Sequence, residues 1–80
     1  MKVWKEICAA EVRQLAVGSR VEVHGHDRHG IPYLMNCEVV EKRRGAGKEL
    51  RYDTYDGFER MPIKDVNGRT FKVEEDEHDA

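Results

Sequence analysis

With 80 residues, 39% of them hydrophobic and 38% charged, the chain is one small domain whose core must use nearly every apolar side chain, which excludes a two-domain enzyme and a large substrate cavity. The formal net charge is -2, but five of the 16 acids (Glu74, Glu75, Asp76, Glu77, Asp79) crowd the C-terminal end, so the body through Val73 stands at +3. Cys8 and Cys37 are too few to staple a secreted miniprotein and point to a reducing, cytoplasmic setting; no apolar run suits a membrane span, and Lys2, Lys5 and Glu6 interrupt the stretch a signal peptide needs.

Met1 to Leu15 contains no Gly or Pro and spaces Trp4, Ile7, Cys8, Val12 and Leu15 by three and four, which predicts a short N-terminal helix. Val3 and Ile7 also fit a short opening strand, and a helix over about 9–15 satisfies both patterns. Val17-Gly18-Ser19 breaks the period. From Arg20 it changes to two, with Val21 and Val23 alternating against Glu22 and His24 as in a strand buried on one face. His24 to Pro32 carries turn chemistry. In the second strand Tyr33, Met35, Cys37 and Val39 share one face. Lys42 to Lys48 reads as a glycine-containing hairpin loop, followed by a third strand with Leu50, Tyr52 and Thr54 on one side. Asp56-Gly57 between Tyr55 and Phe58 is a hairpin signal, and the fourth strand, Phe58 to Met61, stops at Pro62. Ile63 to Val66 reads as a tight or 3₁₀-like turn, Asn67-Gly68 as a second turn, and Arg69 to Glu74 as a last strand. The expected core is Val21, Val23, Cys37, Val39, Tyr52, Phe71 and Val73.

Five short strands with turns every eight to twelve residues predict a mainly β fold, a small closed barrel spanning 1–74 with its N-terminal helix over one open end through Val12 and Leu15. Residues 75–80 read as an acidic tail too poor in apolar residues to order itself. The order of pieces resembles the SH3-like small barrels, especially Tudor-type and KOW-type domains. Leu15-Ala16-Val17-Gly18-Ser19-Arg20-Val21-Glu22-Val23 looks like the family opening, Tyr33 to Glu41 like its second strand, and Tyr52-Asp53-Thr54-Tyr55-Asp56-Gly57 followed by Ile63-Lys64-Asp65-Val66 like its strand, turn and closing 3₁₀ turn. The resemblance spans about residues 15–74. It implies a fold more than a function. Tudor domains that read methylated side chains do so with an aromatic cage, for which the matching positions are Tyr33, Tyr52, Tyr55 and Phe58. In so small a barrel, alternating strand aromatics are more simply core.

Several clusters invite a chemical reading. His24, His26 and His29 place three imidazoles in a glycine-rich turn and are candidate metal ligands, although no cysteine pair stands near and Arg28 sits among them; the plainer reading is a solvated turn. Lys42, Arg43, Arg44, Lys48 and Arg51 are the one basic concentration and could position a nucleic-acid backbone or other anion. Gly45-Ala46-Gly47-Lys48 fails as a phosphate loop, because Lys42 stands where the first glycine belongs and Glu49 where Ser or Thr belongs. Neither cysteine has a nucleophile setting, and both read as buried small hydrophobes. The expectation is therefore a non-catalytic binding module without a cofactor, a small regulatory, inhibitory or adaptor protein. It contacts a protein partner through Trp4, Tyr33, Tyr55 and Phe58, with nucleic-acid binding by the basic loop as the alternative.

Overall fold

The computed structural model describes residues 2–76. The elements are β1 (Lys2–Ile7), α1 (Ala9–Arg13), β2 (Arg20–His26), β3 (Pro32–Glu41), β4 (Lys48–Thr54), β5 (Gly57–Pro62) and β6 (Thr70–Asp76). All six strands join one antiparallel sheet in the order β1-β6-β2-β3-β4-β5. The fold is mainly β, as the alternating patterns predict, but the sheet is open rather than a closed five-stranded barrel. β1 lies along the edge of β6 that β2 does not use, so the sheet gains a sixth strand and keeps two edges, β1 and β5. Among the described residues, no helix is long and apolar enough to cross a membrane.

The chain thus opens on a strand, which corrects the N-terminal helix read from the sequence. Residues 2–7 satisfy both periods, and pairing with β6 decides between them: Ile7 stands opposite Phe71 and Lys5 opposite Val73. Trp4 and Cys8, two members of the presumed helical stripe, are exposed, so Cys8 is not the buried hydrophobe expected of it. At the other end, β6 continues past Glu74, with Glu75 opposite Val3 and Asp76 opposite Lys2. A main-chain ladder needs no apolar side chains, so the acidic segment joins the sheet where a free tail was expected. The rest of that tail, residues 77–80, lies outside the described residues.

Cross-strand partners share a face of the sheet, and one face carries the core. Val23 stands opposite Met35 and Phe71, Val21 opposite Cys37, Cys37 opposite Tyr52, Val39 opposite Leu50, and Leu50 opposite Met61. Ile7, Ala9, Val12 and Ile63 complete this cluster. Of the expected core, Val21, Val23, Cys37, Val39 and Phe71 are buried, while Tyr52 and Val73 are half-buried at its margin. Gly25 has a specific reason to be glycine: it is buried opposite Tyr33, and a Cβ there would lie 2.5 Å from Tyr33 Oη. The ring crosses the space a side chain would fill.

α1, at five residues, is too short to stand alone and is held by distant groups. The N–H of Ala9 donates to Asp65 Oδ1 at 3.0 Å, and that of Cys8 to Glu11 Oε1 at 3.3 Å. Arg13 Nη2 donates to the carbonyl of Ile63. A carboxylate on an otherwise unpaired helix N–H stabilises by about 1 kcal/mol. Residues 63–66 form neither a helix nor a strand, so the 3₁₀-like turn expected there is absent; Ile63 is buried and Asp65 caps α1. Before β2, Gly18 adopts φ 97°, a conformation that favours glycine, and its N–H donates to Val39 O at 2.8 Å. The connection from α1 is thereby tied to the C-terminal part of β3.

Candidate functional site

The hairpin joining β4 to β5 turns at Tyr55 and Asp56, with Gly57 at φ 139° starting the return strand. Tyr55 is fully exposed at the tip. Phe58 stands opposite Asp53 on the face of the sheet away from the core and is 43% exposed. The same face carries Arg51, whose guanidinium carbon lies 4.3 Å from the Phe58 ring centroid, and the Arg43 guanidinium lies at 5.7 Å. Each contact contributes about 0.5–1 kcal/mol at such an exposed place. Arg43 reaches the ring from the β3–β4 loop, which is closed by the Lys42 N–H donating to Gly47 O at 3.1 Å. Two sequence segments singled out for different reasons, the aromatic hairpin and the basic loop, therefore meet around one ring.

Charges on this face are largely compensated. Arg51 Nη2 lies 3.8 Å from Asp53 Oδ1, and Arg60 Nη1 donates to Glu41 O at 2.9 Å and reaches Glu49 Oε1 at 3.4 Å. Lys48 is half-buried, and its Nζ donates to Leu15 O, which turns one of its three N–H donors inward and ties β4 to the segment that follows α1. The stem of Lys42 lies against Gly47. Of the five basic residues, Lys42, Arg43 and Arg44 are exposed loop cations without a carboxylate partner among the described residues.

The four residues read as one partner surface do not gather. Tyr55 and Phe58 belong to one hairpin, but Trp4 lies on β1 at the opposite edge of the sheet, and Tyr33 packs on the core face over Gly25. Nor do the three imidazoles converge. His24 Nε2 is 2.9 Å from Glu22 Oε1, and Asp27 Oδ1 accepts the N–H groups of His29 at 2.8 Å and Ile31 at 2.9 Å. His26 is exposed at the end of β2. Among the described residues, no group of three His, Cys, Asp or Glu side chains could hold a metal ion. Asp27 orders the turn by bonding its own backbone, the plainer reading of that segment.

Sequence reasoning missed Arg60. Its signal was the β4–β5 register, which sets Arg60 opposite Arg51 and beside Glu49, but that register becomes legible only once the Tyr55-Asp56 turn is placed. On the core face, burial pushes the Cys37 thiol up to about 11 against a weaker opposing pull from Arg69. The Tyr52 hydroxyl donates to Glu59 Oε2 at 2.9 Å, and this bond, with burial and the Glu59 charge, raises its pKa. Comparison with protein-family models, with curated proteins and with solved structures returned no match.

Proposed function

We propose that the chain is a non-catalytic binding module that contacts a protein partner through Tyr55, Phe58, Arg43 and Arg51, built on an SH3-like strand order. The observation that carries this reading is the half-exposed Phe58 ring with two guanidiniums over it, beside a fully exposed tyrosine. Aromatic and arginine side chains dominate protein interfaces, the rings because they bury much area at little entropic cost and the guanidinium because it offers several donors in a rigid plane. Arg51 and Arg60 lie beside acids and Lys48 is tied to the Leu15 carbonyl, so the loop offers a polyanion the short run Lys42, Arg43 and Arg44 rather than a broad basic stripe. For the strand order, β2 to β5 form a meander and β6 returns to β2, the sequence of pairings an SH3-like fold uses.

The test is capture from extracts of the encoding organism, with and without nuclease and across a salt series. Wild-type protein is compared with Phe58→Ala and with Arg43→Ala/Arg44→Ala. Phe58 is absent from the core cluster, so Phe58→Ala should fold. The expected result is a nuclease-resistant partner whose binding changes little with salt and weakens by more than about 1 kcal/mol in Phe58→Ala. Binding that vanishes with nuclease or in the double arginine variant, and ignores Phe58→Ala, replaces this reading with a nucleic-acid one.

A further inference from the structure

β5 is an edge of the sheet, and Gly57–Pro62 makes no main-chain hydrogen bonds beyond its ladder with β4 among the described residues. The pairing of β4 with β5 determines which of its groups face outward. Thr54 and Gly57 flank a two-residue turn, so they exchange hydrogen bonds, as do Tyr52 with Glu59 and Leu50 with Met61. Asp53 with Phe58, Arg51 with Arg60 and Glu49 with Pro62 are then the non-bonded pairs. Pro62, which has no N–H to give, sits at one of these positions, as the alternation requires. The outward-facing N–H and C=O groups of β5 therefore belong to Phe58 and Arg60, whose side chains also lie on the face that carries Arg51 and the approach of Arg43.

We infer that β5 takes an extended acidic segment of a partner protein as an added strand. This rests on the protein-partner reading and specifies the partner's chemistry. Main-chain pairing uses Phe58 and Arg60. Because side chains alternate, every second residue of the segment falls on the face of the Phe58 ring. A carboxylate there meets the guanidinium of Arg43, which has no carboxylate partner among the described residues, and that of Arg51, whose contact with the exposed Asp53 carboxylate, at 3.8 Å, is loose enough to be shared. Apolar and β-branched residues suit the remaining positions.

The protein is panned against a display library of random nine-residue peptides, and enriched sequences are synthesised and their affinities measured. The expected binders are β-prone, with Asp or Glu at alternate positions. Arg60→Pro, which removes an outward N–H at a position where an edge strand tolerates proline, should weaken them at least tenfold with far-UV circular dichroism unchanged. If Arg60→Pro fails to fold, the chain assembled by ligation at Cys37 with an ester replacing the Arg60 amide removes the same N–H and keeps the side chain. Unchanged affinity in either folded variant overturns strand addition. Peptides that ignore both backbone changes yet lose affinity in Phe58→Ala leave the Phe58 contact surface standing and refute only the added strand. Absence of enriched acidic peptides also overturns the inference, whereas the partner reading is judged separately by Phe58-dependent capture.

Discussion

Cys37 lies in the middle of β3 with Val21 on one side and Tyr52 on the other, wholly out of solvent, and keeps its proton to about pH 11. An unfolded chain releases that proton from about pH 9. Above that pH the unfolded state binds fewer protons than the folded one, so stability is intact below about 9 and falls as pH climbs towards 11. The loss approaches about 2–3 kcal/mol for one such group. Tyr52, also raised, adds in the same direction. Urea unfolding at several pH values, compared between wild type and Cys37→Ala, isolates the thiol: the variant starts less stable but its stability should fall less steeply. Parallel slopes would show that Cys37 does not couple to folding. A thiol-reactive dye should meanwhile label Cys8 in the native protein and Cys37 only after unfolding.

Among the elements, β1 depends most on the far end of the chain. Trp4 pairs with Glu74, Val3 with Glu75 and Lys2 with Asp76, so deleting residues 74–80 removes half of its ladder and leaves the pairs nearest Ile7. The core cluster ends at Phe71 and Val73, and a cooperative melt should survive the deletion with stability lower by about 1–2 kcal/mol. Amide exchange of Val3 and Trp4 should accelerate selectively, and unchanged exchange there would show that β1 does not need the end of β6. This element also marks where sequence reading stops. Val21 and Val23, like Cys37 and Val39, announce their strands because alternation over several residues excludes a helix. Lys2 to Ile7 matches both periods, and the deciding partner lies at the other end of the sequence. The site divides in the same way. Asp56-Gly57 between aromatics betrays the exposed hairpin, whereas Lys48 looks like one more loop cation until the fold brings the Leu15 carbonyl to it. No local pattern separates Trp4 from Phe58 across the sheet.

At the scale of the whole sheet, the pairing of β1 with β6 means that β1, made before the other five strands, waits for the one made after them. Until residues 71–76 have emerged, Ile7 cannot meet Phe71, and β6 is also the strand that joins β1 to β2. The nascent chain can close the β2–β5 meander early, because those contacts are local, but β1 must remain uncommitted during synthesis. The same geometry brings the two ends of the sheet-forming chain side by side, so a circular permutant is feasible, with a short glycine-serine linker joining residue 80 to residue 1 and new ends opened between Asn67 and Gly68 in the exposed turn before β6, a cut that separates no pair of neighbouring strands. Stopped-flow refolding should be faster in the permutant than in the parent, since a short connection replaces the longest loop closure in the fold. Equal rates would place the closing of β1 onto β6 after the rate-limiting step, making this outer strand the last piece to dock in refolding as well as in synthesis.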